Sequence, residues 1–187
     1  MNKELEDKIK AEVPQDDSTS REEKEILMQS IKDKKPKHLI ETGTHRGLTT
    51  LYLLTAIDKG HLNTADPYEW GAAGNFRKFP ELEKMVTYFQ QRGSEMIRGC
   101  DNKSIEWAFI DGYHEKVEVI EEVEVLLPKL ADGAVVWFHD TNGSNPSCDV
   151  PGAIEELGLK VEYLKTQNGM AKYVHKKNSV GVVAKVD

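Results

Sequence analysis

Residues 38–67 read HLIETGTHRGLTTLYLLTAIDKGHLNTADP, in which a glycine-containing loop and a longer apolar segment separate two short apolar runs. This spacing predicts a strand over His38–Thr42, a helix over Leu48–Ile57 and a second strand over His61–Ala65. Strand, helix and strand in this order are typical of a parallel sheet, because parallel neighbours need a long crossover connection. We therefore predict an α/β fold.

The same alternation continues towards the C-terminus. Further strands are expected at 85–90, 105–110, 134–138, 161–166 and 180–186. Residues 115–130 carry an apolar stripe that fits a helix, and the length of the segment favours a helix over a strand. Asn168-Gly169 is a turn signal between the last two predicted strands.

The first 35 residues are highly charged and predict two helices separated by a polar break after Pro14. Ser20 and Glu23 have the spacing of a capping box at the start of the second helix. We expect an N-terminal helical extension over 1–35 that packs on a single domain spanning 36–187. A lid or a dimerisation arm is the alternative role for this extension.

Composition excludes several classes of protein. A formal net charge of −7 argues against a non-specific nucleic-acid binder. Apolar runs are all shorter than a membrane span requires, and charges stand where a signal peptide would need an apolar core. Cys100 and Cys148 lack the spacing of a disulfide framework or a thiolate zinc site. We expect a cytoplasmic protein that does not enter a membrane.

Polar residues follow the predicted strands at the carboxyl ends, where an open parallel sheet binds its ligand. The loop after the first strand is not the dinucleotide fingerprint GxGxxG, because His45 occupies the second glycine position. A carboxylate at Glu41 disfavours a phosphate and suits a cationic ligand. Asp66, after the second strand, is placed to accept hydrogen bonds from ribose hydroxyls. These positions predict a nucleoside-type ligand without a pyrophosphate.

Several segments together resemble a known family. They are Glu41-x-Gly43-x-x-x-Gly47, Asp66, FIDGYH at 109–114 and LLPKLADGAVVWFHDT at 126–141. They resemble the class I S-adenosylmethionine-dependent methyltransferases, in particular the cephalosporin-hydroxylase-like and macrolide sugar O-methyltransferase-like proteins. The resemblance covers roughly residues 36–186. It implies a Rossmann-like methyltransferase fold, a three-layer αβα arrangement whose seven-stranded, mostly parallel sheet has an antiparallel last strand.

The resemblance also implies S-adenosylmethionine as the cofactor and an oxygen of a small molecule or sugar as the methyl acceptor. Glu41 and Gly43 would contact the methionine end of the cofactor, and Asp66 its ribose. The cofactor-binding residues implied in this way are Glu41, Gly43, Thr44, Gly47, Asp66, Ser94 and Asp111. Of these, Ser94 would lie near the adenine and Asp111 near the sulfonium.

Some relatives hold the acceptor oxygen with a divalent cation, using an Asp after the fourth strand and an acidic or Asp-Asn pair after the fifth. The matching metal ligands here are Asp111, His139 and Asp140, with Mg or Mn as the candidate ion. Thr141 follows Asp140 where an acidic residue or Asn is expected, so the identity of the metal stays open. In the alternative interpretation, Asp111 and Asp140 interact with the cofactor and form hydrogen bonds at the strand ends, and no metal ion is bound.

Catalysis of methyl transfer needs alignment of the acceptor with the sulfonium and a base that removes the acceptor proton. His114 and His139 are the candidate bases, and Asp111 is the third catalytic candidate. A metal-dependent hydrolase that uses these three residues and Asp140 is an alternative function. A non-catalytic module that retains the fold is another.

The segment 68–79 is aromatic and lies between the second and third predicted strands. We expect it to form either a flap over a small-molecule acceptor, with Trp70 and Phe76 as a stacking platform, or a surface loop whose aromatic residues simply pack. A homo-oligomer is left open.

Overall fold

The computed structural model describes residues 3–15, 19–143 and 148–176, which form a seven-stranded sheet flanked by helices. The strands are β1 (His38–Thr42), β2 (His61–Ala65), β3 (Val86–Phe89), β4 (Ile105–Ile110), β5 (Leu130–Phe138), β6 (Val161–Leu164) and β7 (Met170–Val174). Their order across the sheet is β3-β2-β1-β4-β5-β7-β6. The first five strands are parallel, whereas β7 runs antiparallel to β5 and to β6. This confirms the predicted sheet.

Helices cover both faces of the sheet. They are α1 (Lys3–Glu12), α2 (Arg21–Lys34), α3 (Leu48–Leu54), α4 (Ala72–Phe76), α5 (Pro80–Glu83), α6 (Gly93–Arg98), α7 (Lys116–Leu126) and α8 (Val150–Glu156). Successive strand residues point to opposite faces: Leu39 packs in the hydrophobic cluster with α1–α5, and Ile40 in the cluster with α6–α8. The result is the expected three-layer αβα arrangement. Among the described residues, no helix combines the length and apolar character needed to cross a membrane.

Strand β5 begins earlier than its sequence pattern predicts. The helical pattern continues to Leu130, but α7 ends at Leu126 and a single 3₁₀ turn, Leu127–Lys129, follows it. Pro128 lies in that turn, where its missing N–H group and fixed φ end the α-helix. Leu130 already pairs with Ile105, and a shift of register then accommodates the polar residues before Val135. The predicted start at residue 134 is therefore wrong by four residues.

The sheet ends in a β-hairpin that the sequence pattern places only in part. Strand β7 follows the Asn168-Gly169 turn directly and pairs with β6 from Leu164↔Met170 to Val161↔Tyr173. The sequence pattern missed β7, because Lys172 interrupts a short and weakly apolar segment. The last strand was predicted at 180–186, which lies outside the described residues.

Helix α2 is held against the sheet by its buried face. The predicted capping box is present: the Ser20 side chain accepts from the backbone N–H of Glu23, and the Glu23 side chain accepts from that of Ser20. Further along the helix, Ser30 Oγ accepts hydrogen bonds from Trp107 Nε1 at 3.1 Å and from Trp137 Nε1 at 3.0 Å. One hydroxyl group therefore satisfies the indole N–H groups of two buried side chains, one on β4 and one on β5.

We predict that Ser30→Ala lowers the free energy of unfolding by about 2 to 4 kcal/mol, because two buried N–H donors lose their acceptor. Urea unfolding followed by tryptophan fluorescence measures the change. Gln29→Ala, at an exposed position of the same helix, is the matched control and should stay within about 0.5 kcal/mol of the wild type. An equally small effect of Ser30→Ala would contradict the proposed docking contact.

Candidate functional site

A cavity of about 440 Å³ opens at the carboxyl edge of the sheet, within the ~300–1,000 Å³ usual for small-molecule sites. Its lining includes Gly43, His45, Asp66, Tyr68, Trp70, Gly93, Asp111, Gly112, Tyr113, His114, Glu122, Asp140 and Asn168. Four of these residues carry carboxyl groups, and none of the described lining residues is a lysine or an arginine. Such a lining suits a ligand with positive charge and disfavours a phosphate.

The loop after β1 lies directly against the loop after β4. A Cβ atom on Gly43 would come within 1.9 Å of the carbonyl oxygen of Asp111, so only glycine fits at this position. Asp66 ties the same loop to the segment after β2, because its carboxylate accepts from the backbone N–H of His45 at 2.8 Å and of Tyr68 at 2.9 Å. A carboxylate can accept about four hydrogen bonds, so Asp66 retains capacity for a ligand in the cavity.

Glu41 lies beneath the cavity and does not line it. Its side chain is fully buried, and Oε2 accepts from the hydroxyl groups of Thr50 at 2.6 Å and Thr64 at 2.7 Å. Among the described residues, Oε1 has no hydrogen-bond partner. Burial raises the pKa of Glu41 to about 8, and the charges of Asp111 and Asp66 act in the same direction. Contact between Glu41 and a ligand in the cavity would therefore require the loop to move.

Three further predicted cofactor residues also lie behind the cavity wall. Thr44 and Ser94 are each 3% exposed, and Gly47 is covered by the ring of Phe76. The position before Ser94, Gly93, lines the cavity instead, where a Cβ atom would lie 2.3 Å from Oε1 of Glu122. Because the packing here is close, the backbone of Gly93 lines this part of the cavity, and the side chains of Thr44 and Ser94 do not.

Glu122 is a cavity residue that sequence reasoning missed. It projects from α7, is 3% exposed and accepts a hydrogen bond from Thr42 Oγ1 at 3.1 Å. Burial raises the pKa of its carboxyl group to about 7. Several glutamates occur in the segment KVEVIEEVEVL, and among them Glu122 shares the buried stripe of Val119, Val123 and Leu126. Its place on this apolar stripe is the sequence signal that could have identified Glu122 as a buried residue.

Two histidines and two aspartates meet at the ends of β4 and β5. Nδ1 of His139 lies 2.9 Å from Asp111 Oδ1 and 3.3 Å from Asp140 Oδ2. Nε2 of His114 lies 3.2 Å from Asp140 Oδ2 and 3.6 Å from Asp111 Oδ1. The structure thus brings together the residues predicted as metal ligands, and one potential ligand atom from each of Asp111, His139 and Asp140 lies within 4.8 Å of the others.

The ring nitrogens of this cluster lack well-oriented hydrogen bonds. Nε2 of His114 and both ring nitrogens of His139 are buried, and none has a partner with hydrogen-bond geometry in the part of the chain that the structure describes. Buried polar atoms are nearly always paired in native proteins. Imidazole nitrogens beside carboxylates are also common ligands of divalent cations, so these donors fit a metal ion.

The charges around His139 determine its protonation. Burial by itself lowers the pKa of His139, but the charges and hydrogen bonds of Asp111, Asp140 and Glu23 outweigh burial and raise the pKa to about 12. The imidazole ring of His139 therefore stays doubly protonated at neutral pH unless a bound cation displaces a proton from it. The interpretation of His139 as a general base therefore does not fit its surroundings. His114 has a side chain that is one-third exposed and lines the cavity, so it is the better candidate.

Aromatic side chains surround the mouth of the cavity. The ring centroid of Trp70 lies 5.1 Å from that of His45 and 6.0 Å from that of Tyr68, both in edge-to-face geometry. Tyr68 is 60% exposed and Trp70 is 48% exposed. Phe76 is instead buried in the hydrophobic cluster, so its predicted part in a stacking platform is wrong. The exposed aromatic surface at the mouth is formed by Tyr68 and Trp70.

Solved structures share this architecture over nearly the whole chain. The Bacillus cereus O-methyltransferase in complex with S-adenosylhomocysteine is 18% identical, with a TM-score of 0.73, over 93% of this chain and 90% of that one. The S-adenosylmethionine complex of TomG, a Streptomyces achromogenes O-methyltransferase involved in tomaymycin synthesis, is 17% identical, with a TM-score of 0.70, over 88% and 92%. At this level of identity the likeness shows the fold, and it confirms the predicted Rossmann-like methyltransferase fold.

A curated relative matches part of the chain. The uncharacterized protein y4gI of Sinorhizobium fredii is 26% identical over 121 residues, which are 57% of this chain and 13% of that protein. This chain therefore spans only a small part of the length of that relative.

A family model matches the region that carries the site. The model described as a methyltransferase domain aligns with residues 40–141, more than half of the chain. The matched region runs from β1 through β5 and includes Asp66, Asp111, His114, His139 and Asp140. This match confirms the predicted resemblance to the methyltransferases. The chain belongs to the methyltransferase domain family.

Proposed function

We propose that the protein is an S-adenosylmethionine-dependent O-methyltransferase that acts on a small molecule or a sugar. The observation that carries this proposal is the acidic cavity at the carboxyl edge of the sheet, whose described lining contains no lysine or arginine. S-adenosylmethionine carries a sulfonium and an ammonium group, and both positive charges suit this lining. The cofactors named for the similar O-methyltransferase structures support the same assignment.

In this proposal the chain positions the cofactor through both backbone and side chains. Gly43 lets the loop after β1 approach the ligand, Asp66 accepts from the ribose hydroxyls, and Asp111 lies near the sulfonium. Four other predicted cofactor residues are buried behind the residues that line the cavity and pack against them: Glu41, Thr44, Gly47 and Ser94. When bound, the cofactor supplies the methyl group, and the chain supplies alignment and exclusion of water.

We further propose that Asp111, His139 and Asp140 hold a divalent cation, with Mn or Mg as the candidates. Nδ1 of His139 faces both aspartates and has no hydrogen-bond partner among the described residues, which supports this assignment. Two carboxylates suit either ion, whereas the imidazole nitrogen favours Mn over Mg. The cation would supply positive charge next to an acceptor oxygen and so lower the pKa of the acceptor hydroxyl.

His114 is the proposed general base. It lines the cavity beside the two aspartates and can take the acceptor proton at Nε2. The neighbouring carboxylate of Asp111 raises the pKa of His114. Tyr68 and Trp70, at the mouth, would contact the acceptor. A cytoplasmic location is part of this proposal and is compatible with two free cysteines. A homo-oligomer stays a prediction.

We predict that Asp66→Asn weakens the binding of S-adenosylmethionine and S-adenosylhomocysteine about tenfold or more, because the charged acceptor for the ribose hydroxyls is lost. Isothermal titration calorimetry measures both affinities. Glu69→Gln, at an exposed position of the loop that follows, controls for the loss of one negative charge. Unchanged affinity in a folded Asp66→Asn protein would refute the ribose assignment.

We predict that Asp140→Ala abolishes Mn²⁺ binding while the affinity for S-adenosylhomocysteine changes by no more than a few-fold. The reason is that Asp140 faces His139 and His114 at the proposed cation site and not the proposed ribose site. Electron paramagnetic resonance of free Mn²⁺ measures metal binding, and calorimetry measures the nucleoside. A variant that still binds Mn²⁺ like the wild type would show that Asp140 is not a ligand.

We predict that Glu41→Gln alters the pH dependence of stability. The pKa of Glu41 is raised from 4.5 in the unfolded chain to about 8 in the folded one, so the folded state binds the proton more tightly. Its stabilising contribution is complete below about pH 4.5 and is lost as the pH rises to about 8. Relative to the wild type, Glu41→Gln should therefore gain on the order of 5 kcal/mol over this range, at about 1.4 kcal/mol per pKa unit.

Urea unfolding at a series of pH values measures this difference without any ligand. Glu124→Gln, at an exposed position of α7, is the control for removal of a carboxylate. A difference between Glu41→Gln and the wild type that does not vary with pH would contradict the raised pKa of Glu41.

A further inference from the structure

Glu23 is a buried carboxylate on the N-terminal helix α2, and it lies at the edge of the site. It stands in the first turn of the helix, where its neighbours Glu22 and Glu25 are exposed, yet Glu23 itself is 0% exposed. Its Oε2 lies 3.3 Å from Nε2 of His139, which is 1% exposed. This contact joins residues that are far apart in the sequence.

The carboxylate of Glu23 is fixed by hydrogen bonds from two other segments. Oε1 accepts from Thr166 Oγ1 at 2.7 Å and from the backbone N–H of Asn168 at 2.9 Å. Oε2 accepts from the backbone N–H of Ser20 at 2.7 Å and from Asn168 Nδ2 at 3.3 Å. Donors from α2 and from the β6–β7 turn therefore hold the group that His139 contacts.

The two nitrogens of the His139 ring face different partners. Nε2 faces Glu23, and Nδ1 faces Asp111 and Asp140. The contact with Glu23 has ion-pair distance without hydrogen-bond geometry in this structure. A carboxylate beside Nε2 favours the tautomer that carries the proton there, and so leaves Nδ1 available as a ligand. Carboxylates in this position behind a ligating histidine strengthen metal binding.

We propose that Glu23 is a positioning residue that holds the His139 ring with Nδ1 directed at Asp111 and Asp140. The inference rests on the cation site proposed above and adds a residue from outside the matched domain region. It makes the N-terminal helix and the β6–β7 turn part of the site. Glu23 on α2 then contacts His139, and His139 contacts Asp111 and Asp140 at the cavity.

Helix capping alone does not account for the burial of Glu23. A capping box needs only the contact between Glu23 and the backbone of Ser20, and glutamine can make that contact as well. Glu22 already places a negative charge in the first turn, where it interacts favourably with the helix dipole. Burying a further carboxylate costs free energy unless it has polar partners, and the ring of His139, with Nε2 at 3.3 Å from Oε2, is the partner on the side of the site.

The first test measures Mn²⁺ affinity by electron paramagnetic resonance in the full chain. Glu23→Gln keeps the shape and the capping contact but removes the charge, and it should weaken Mn²⁺ binding about tenfold to a hundredfold. Glu22→Gln is the matched control on the same turn. This control should stay within about twofold of the wild type. Thr166→Val removes one hydrogen bond that holds the Glu23 carboxylate but leaves its charge, so it should weaken Mn²⁺ binding less than Glu23→Gln does.

Two outcomes of this test overturn the proposal. One is an unchanged Mn²⁺ affinity in Glu23→Gln, and the other is an equal loss in Thr166→Val, which would indicate a purely structural role. Near-UV circular dichroism establishes that each variant is folded. If Glu23→Gln does not fold, Glu23→Asp takes its place, because it keeps the charge but draws the carboxylate back from Nε2.

A second test does not depend on a metal. In EDTA-treated protein with ¹⁵N-labelled histidine, the Nε2–H proton of His139 should give a slowly exchanging downfield signal, assigned by its absence in His139→Asn. A neutral partner in Glu23→Gln should move this signal upfield, and Thr166→Val, which keeps the charge of Glu23, should move it less. An unchanged signal in Glu23→Gln overturns the positioning role. If the wild type does not bind Mn²⁺ but the signal shifts as expected, the proposed cation site fails and the Glu23 contact stands.

Discussion

The burial of carboxyl groups at one edge of the sheet is the constraint on which the rest of the structure depends. Glu23, Glu41 and Glu122 are almost completely buried, and a bare carboxylate in such a place is costly. Each accepts a hydrogen bond from at least one threonine hydroxyl group, contributed by Thr166, by Thr50 and Thr64, and by Thr42 respectively. Threonines on β1, β2, α3 and the β6–β7 connection thus supply donors without adding positive charge, and the edge stays acidic.

The sequence predicts the strands and their end residues well, because both depend on local patterns. A buried parallel strand is a short apolar run with turn residues after it, and β1, β2 and β4 have the bounds that this pattern predicts. Parallel strands place their carboxyl ends at one edge, so Asp66, Asp111 and His114 could be expected to meet there. Where the local pattern is weak, as in β7, or where proline interrupts it, as before β5, the prediction fails.

The residues that the sequence could not place are those whose roles depend on distant partners. Glu122 is one of several glutamates along α7, and its burial follows from Gly93 and Gly112, which leave room for its carboxyl group. Glu23 has a clear local role in a capping box, and that role conceals its contact with His139. Glu41 follows the predicted strand end, but its enclosure by the hydroxyl groups of Thr50 and Thr64 depends on two distant segments and could not be predicted from the local pattern.

The same acidic edge couples folding to ligand binding. Asp140 adopts a left-handed backbone conformation, with φ of 54°, that residues other than glycine rarely adopt. The cluster therefore combines backbone strain with several carboxylates close together. A ligand that brings positive charge to this edge binds the folded chain only, because the unfolded chain disperses these carboxylates. Its binding energy therefore adds to the stability of the fold. On this argument the carboxyl groups of Asp66, Asp111, Glu122 and Asp140, which line one cavity, favour a cationic ligand over an anionic one.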